Sequence, residues 1–275
     1  MYKEEFIKSC KDLKNNLILF LPDLAMLILN FIFGLLFLKY SGFLSIVSDP
    51  WTLTKEVETM APAIKLFLRE NLLRIAITLL MFILTSFLIG AGLTAMKLGM
   101  MNSLRNNQKP TFRSMISSGR YVWQVVSMKM IMFVIGTVFF LFSIGTFLIL
   151  STLMPKVYVW ITVGFLFPTL LVALQLILFF RYQVMFLENK HAITAVKESY
   201  YYFLKNKKHV FLTWMIVTMV SLVTAPLAAY MGFAEQKGIV ITAAVIIGYS
   251  LRSIINLLIN VWSDMFRFRS YKSQI

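Results

Sequence analysis

The sequence predicts an all-α fold: a polytopic membrane helix bundle of about six transmembrane helices with interfacial amphipathic helices. Three observations predict it. First, 59% of the 275 residues are hydrophobic and only 14% are charged, with a mean hydropathy of +0.77, whereas soluble domains carry about 25% charged residues. Second, six apolar stretches reach the roughly 20 residues needed to cross a bilayer core: 21–40, 72–96, 121–153, 157–187, 210–233 and 239–262. Third, the cations are unevenly shared between the two sides. Of 27 Lys and Arg, eighteen fall on the side of the N-terminus, six on the opposite side and three inside spans. That bias places both termini in the cytoplasm and the chain in the cell membrane. With 12 Gly, 7 Pro and one Cys, a collagen, a disordered tail and a disulfide-stapled secreted domain are excluded.

Residues 1–20 read as an interfacial segment carrying Lys3, Lys8, Lys11 and Lys14. The start is charged and no small-residue cleavage site follows the first apolar run, so the first span is expected to stay in the mature protein. That span opens on Leu21-Pro22-Asp23. Proline needs no N–H in a first helical turn, and Asp23 faces the positive end of the helix dipole. In residues 49–70, Val57, Met60, Ala61, Ile64, Phe67 and Leu68 recur at helical spacing after Asp49-Pro50, which predicts an amphipathic helix on the outer surface. Arg74, near the outer end of span two, is expected to snorkel to water. Residues 97–120 form a basic connection whose Thr111 starts a short helix. Spans three and four exceed the required length and are expected to tilt or project as continuous helices. Gly90-Ala91-Gly92, Gly136 and Gly145 are expected to let helices approach closely, while the 17 Met and 25 Phe fit adaptable or lipid-facing packing.

Residues 191–209 predict a second amphipathic helix, with Ile193, Val196, Tyr200, Phe203 and Leu204 as its apolar stripe. Its expected role is to cap the bundle at the cytoplasmic interface. Residues 263–275 are expected to be a basic cytoplasmic tail. The whole, 1–275, is expected to be a single integral membrane domain.

Two stretches carry a resemblance. Residues 179–214 contain Phe180-Arg181-Tyr182, then Glu188-Asn189, then Ala195, Lys197 and Ser199 on the following helix. Residues 90–123 contain the turn Lys109-Pro110-Thr111-Phe112. This pattern resembles a group of prokaryotic multi-pass proteins that includes the membrane domain of glycerophosphoryl diester phosphodiesterases. The resemblance implies a helical membrane bundle. The phosphodiesterase domain attached to some relatives has no counterpart in these residues, so it implies no activity.

Candidate chemistry is sparse. His191, His209 and Cys10 supply no metal-ligand spacing, and neither a nucleophile elbow nor a phosphate loop is present. No catalytic, cofactor-binding or metal-binding residue is assigned, and no cofactor is expected. Polar residues inside spans are the exception, because charge in lipid costs at least ~2.5–3.5 kcal/mol. Arg252, Asn256 and Asn260 lie at i, i+4 and i+8, on one helix face. With Gln175, Asn30 and Asp23 they form a candidate intramembrane polar seam. It serves either helix packing, at about 0.6 kcal/mol per hydrogen bond, or a path for a small anionic substrate. Lys129 is expected close to the head groups. A second set, Lys197, Lys205, Lys207, Lys208 and Arg181, is placed to meet anionic lipid head groups at about 1 kcal/mol per cation.

The expected partners are therefore the lipid bilayer and its anionic head groups, together with an unidentified protein. Nucleic acid is not expected, because no basic stretch forms a soluble domain of its own. The leading expectation is a non-catalytic scaffold, accessory or lipid-envelope component. A transporter or flippase for a small anionic or lipid-like substrate comes second, and a membrane-embedded enzyme third.

Overall fold

The computed structural model describes residues 2–42, 57–226 and 243–271, and every regular element among them is helical. Four of these stretches are long and apolar enough to cross a membrane: Leu17–Ser41, Arg69–Arg105, Phe112–Leu153 and Lys156–Leu187. The chain divides into two compact units, residues 22–93 and residues 1–21 with 94–275.

The first of these units is a helical hairpin. Helix α2 (Leu21–Ser41) begins where the Leu-Pro-Asp signal predicts, with Asp23 in its first turn. Helix α3 (Val57–Arg105) runs unbroken for 49 residues. The separate surface helix expected over 49–70 is therefore continuous with span two from residue 57 onward, and its part before residue 57 lies outside the described residues. The stretch Phe67-Leu68-Arg69-Glu70-Asn71-Leu72-Leu73 holds no Gly or Pro and is rich in helix formers, so nothing stops the helix there. Between α2 and α3, Phe82 meets Phe33 and Phe37 at ring-centroid distances of 6.3 and 6.0 Å. Arg74 is exposed, and its Nε also donates to the Tyr40 carbonyl, satisfying one of the orphan acceptors at the end of α2. Gly42 ends that helix with φ +85°, the left-handed conformation that glycine adopts without strain.

The other unit is built from both chain ends. It comprises α1 (Tyr2–Asn15), the last turns of α3, α4 (Phe112–Ser117), α5 (Val122–Leu153), α6 (Lys156–Ile177), α7 (Arg181–Leu187), α8 (Ala192–Lys205), α9 (Lys207–Ser221) and α10 (Ala243–Ser270). The end of α3, the start of α5, the end of α6, the start of α9 and the end of α10 carry its core. Met101, Met128, Phe180, Val210, Met265 and Phe266 are all at most 1% exposed. Beyond this packed end the helices present apolar side chains outward, as with Phe133 and Leu141 on α5 and Trp160 and Phe165 on α6. Contiguous exposed apolar surface of this extent marks a membrane or protein contact face.

Several expectations are corrected here. Span four is not one helix: α6 stops at Ile177, and Leu178–Phe180 turn the chain into α7. The turn lets Phe180 enter an aromatic cluster, 5.3 Å from Tyr202 and 5.4 Å from Tyr271. On α8 the buried face is Ala192, Ala195, Ser199 and Tyr202, whereas Ile193 of the expected stripe is 75% exposed, and Tyr200 and Leu204 are exposed too. Small residues win that face because they allow close approach, and Ser199 Oγ then donates to the orphan Ile177 carbonyl at 2.9 Å. Asn206 (φ −125°, ψ 39°) breaks the helix, so His209 belongs to α9. Residues 263–271 are no tail: α10 continues to Ser270, with Ser263, Phe268 and Tyr271 buried.

A close approach is seen at another glycine, Gly99. Among the described residues, Gly92, Gly136 and Gly145 have open space where a side chain would sit, whereas a Cβ on Gly99 would occupy the place of the Ser118 Cβ and Oγ. The turn that carries Ser118 is set by α4, whose N-cap Thr111 and Ser114 bond reciprocally in a capping box.

Candidate functional site

The packed end holds a buried charge cluster. Asp264, on the last turns of α10, accepts from Lys97 Nζ at 2.6 Å and lies 3.5 Å from an Arg267 terminal nitrogen. Burial pushes the Asp264 carboxyl up, but the Lys97 ammonium, and after it Arg267 and Arg181, outweigh burial and hold it below the usual carboxylate range. One carboxylate thus serves three cations, and Lys97 holds it most closely.

The two arginines line a cleft of about 350 Å³ together with Gln175, Phe179, Trp214, Val217, Thr218 and Ser221. The backbone turn after α6 positions Arg181, one terminal nitrogen of which donates to the Leu178 carbonyl at 2.8 Å. Arg267 lies over the Phe179 ring, 4.9 Å from its centroid. The Nε of each arginine is buried without a hydrogen-bond partner. Burial, and then Arg181 among the neighbouring charges, push the Arg267 pKa down, against the pull of Asp264. Among the described residues no carboxylate lines the cleft, and its polar groups include an indole N–H, two hydroxyls and an amide. Trp214 Nε1 reaches Gln175 Oε1 at 3.4 Å.

A second buried node joins the chain ends. His209 Nε2 donates to the Ser270 carbonyl at 3.0 Å, and the Tyr2 hydroxyl donates to Nδ1 at 2.8 Å, which selects the neutral Nε2–H tautomer. Asp12 pairs with Arg269 nearby on the same two helices, α1 and α10. Burial pushes the His209 pKa down, and the Ser270 carbonyl offsets only part of that. As pH falls through the ordinary histidine value near 6.5, the unfolded chain takes up the proton first, so stability falls with acidification. The melting temperature in detergent is expected to drop between pH 7.5 and 5.5, and His209→Gln is expected to remove that slope. An unchanged slope in the variant assigns it to another group; Asp264 titrates only at more acidic pH.

The sequence-predicted residues fall in different places. Gln175 and Arg181 share the cleft. Arg252, Asn256 and Asn260 lie together on α10, with Asn260 exposed and Arg252 Nε buried without a partner. Asp23 and Asn30 belong to the hairpin unit. Lys197, Lys205, Lys207 and Lys208 are exposed on α8 and α9, and Lys197 lies 5.9 Å from the Tyr201 ring centroid. Lys97, Asp264, Arg267 and Trp214 are absent from the sequence-based site. The signal was present for Asp264, an isolated acid in the basic run from 263 to 272.

Of the residues that carry the resemblance, Arg181 lines the cleft and Lys197 is exposed, while others bond or pack inside the protein. Phe180 fills the aromatic cluster, Glu188 accepts from the Tyr271 hydroxyl at 2.7 Å, and Asn189 accepts from the Tyr121 hydroxyl at 3.1 Å. Ala195 and Ser199 form the buried face of α8. Among the described residues no group of three His, Cys, Asp or Glu is placed to hold a metal ion. Compared with known proteins, the chain matches no family model, no curated sequence and no solved structure.

Proposed function

We propose that this chain is a non-catalytic, multi-pass protein of the cytoplasmic membrane, a scaffold, accessory or lipid-envelope component with six spans and both termini in the cytoplasm. The resemblance to the phosphodiesterase-associated membrane domain supports the same reading. The observation that carries it is the distribution of burial. Apolar side chains of the four long helices are exposed along lipid-length stretches, while within the unit of residues 1–21 and 94–275 close packing and ion pairs concentrate at one end. That end carries Lys97, Arg105, Arg181, Arg267 and the lysines of α8 and α9, as a cytoplasmic face requires. The exposed face of α8, with Ile193, Tyr200, Tyr201 and Lys197, has the aromatic and cationic make-up of a helix lying at the head groups.

Arg252 favours a second reading, as a transporter or flippase for a small anionic or lipid-like substrate, since a buried guanidinium nitrogen without a partner is costly in lipid unless an anion visits it. Co-purifying molecules, identified by mass spectrometry of nanodisc-embedded wild type and Arg252→Ala, separate the two readings. Loss of a specific anionic species in the variant favours transport, and a stoichiometric protein retained in both favours the accessory role. The topology has its own test. Single cysteines, in a Cys10→Ser background, at Asn107 and Lys208 are expected to react with an impermeant thiol reagent only from the cytoplasm, and one at Lys156 only from outside. The reverse pattern refutes the orientation.

A further inference from the structure

We propose that the cleft between α6, α9 and α10 binds a phosphate group between the guanidiniums of Arg181 and Arg267. The inference rests on the membrane reading above and gives that reading a ligand. Two like charges line one cleft of about 350 Å³, and among the described residues the carboxylate paired with them, Asp264, lies within 2.6 Å of Lys97. The cluster of Lys97, Arg181, Arg267 and Asp264 therefore keeps an excess of two positive charges. Each arginine also keeps a buried Nε–H with no acceptor, and a buried donor left unpaired costs stability until an acceptor arrives. The groups around them select the kind of acceptor. The Trp214 indole and the Thr218 hydroxyl line the same wall and add donors suited to a tetrahedral oxyanion, whereas Ser221 Oγ donates to the Val217 carbonyl at 2.8 Å; guanidiniums match phosphate oxygens in pairs. Val217 and Phe179 make the apolar part of the lining, which tolerates a glycerol or acyl portion.

The position fits a phosphate carried by a lipid. Arg181 follows the end of α6, and Trp214 lies two turns into α9, so the cleft falls where the proposed topology puts the inner-leaflet head groups. A soluble phosphate ester offers the same chemistry from the cytoplasm, and the two sources are separable by experiment.

The full chain in neutral detergent is melted alone and with added phosphatidylglycerol, phosphatidylcholine, glycerol 1-phosphate or inorganic phosphate. Saturable stabilisation by phosphatidylglycerol, absent with phosphatidylcholine and lost in Arg181→Gln/Arg267→Gln, is the result expected for a lipid phosphate. The same loss seen for stabilisation by glycerol 1-phosphate or inorganic phosphate names the soluble source instead. Because the double variant removes an Asp264 neighbour and can misfold, Gln175→Glu provides an independent test. Its carboxylate, nearly isosteric with the amide, supplies an internal anion to the cleft. It is expected to raise the melting temperature without ligand and to weaken phosphate-dependent stabilisation at least tenfold in ligand concentration. Equal stabilisation of wild type and Gln175→Glu, or equal effects of phosphatidylglycerol and phosphatidylcholine with no effect of the soluble phosphates, overturns the proposal. A chain released from membranes by alkaline carbonate overturns instead the membrane reading on which it rests.

Discussion

Asp264→Asn is expected to destabilise the protein by about 3–5 kcal/mol, the cost of leaving a buried cation without its partner. The substitution is nearly isosteric, so it opens no cavity, and the loss measures charge rather than packing. Lys97 is 7% exposed and bonds Asp264 at 2.6 Å, and with the carboxylate neutralised its ammonium, Arg267 and Arg181 crowd one another without a counter-ion. Reversible unfolding in mixed micelles, followed by near-ultraviolet circular dichroism, reads the change. The companion variant Lys97→Met/Asp264→Leu is expected to recover part of the loss, because it removes the unpaired ammonium while Arg267 and Arg181 still lack their counter-ion. If the single variant melts with the wild type, the pair is exposed in solution and the cluster is not a buried one.

The second large effect is expected at Gly99. In Gly99→Ala the new methyl group falls on the Cβ and Oγ of Ser118, and Ser118 cannot rotate its own Cβ away. Its Oγ is in addition tied to the Ser114 carbonyl at 2.7 Å. The turn after α4 must then shift from α3 or the helix must bend, at a cost of about 1–3 kcal/mol for overpacking a close contact. Ser118→Gly in the same chain is expected to restore stability, since it empties the space that the methyl takes. Gly136→Ala is the control. Nothing lies within 4 Å of the site its Cβ would fill, and replacing a mid-helix glycine by alanine gains up to about 1 kcal/mol. Equal melting temperatures for Gly99→Ala and wild type would show that α3 and the Ser118 turn are farther apart than the structure has them.

Much of the fold was legible because it depends on local sums. The start of α2 at Leu21-Pro22, the Thr111 cap of α4 and the span of α5 from Val122 to Leu153 follow from capping residues and from the length of each apolar run. The face of α8 was misread for a physical reason. In a bilayer protein the larger apolar side chains can face lipid, and small residues face neighbouring helices, so the hydrophobic stripe Ile193, Tyr200 and Leu204 marks the outside rather than the core. The break after Ile177 was hidden because Leu178-Phe179-Phe180 is as apolar as the helix before it, and only the aromatic pocket formed by Tyr202 and Tyr271 gives the turn a reason. The candidate site was half legible. Arg181 and Gln175 were singled out, but their neighbours Arg267 and Trp214 come from parts of the chain read as a tail and a plain span.

By itself the sequence determined the helical class and the lipid-length apolar stretches. Hydropathy, helix period and the charge of each connection are properties of neighbouring residues and need no knowledge of who packs against whom. Only the tertiary structure decided that Lys97 meets Asp264, that Arg181 and Arg267 share a cleft, and that His209 is held between Tyr2 and Ser270. These pairings depend on which helix ends converge, and that is settled by close packing of side chains far apart in the chain. The same convergence leaves two guanidiniums short of acceptors, a condition that no local pattern in the sequence encodes.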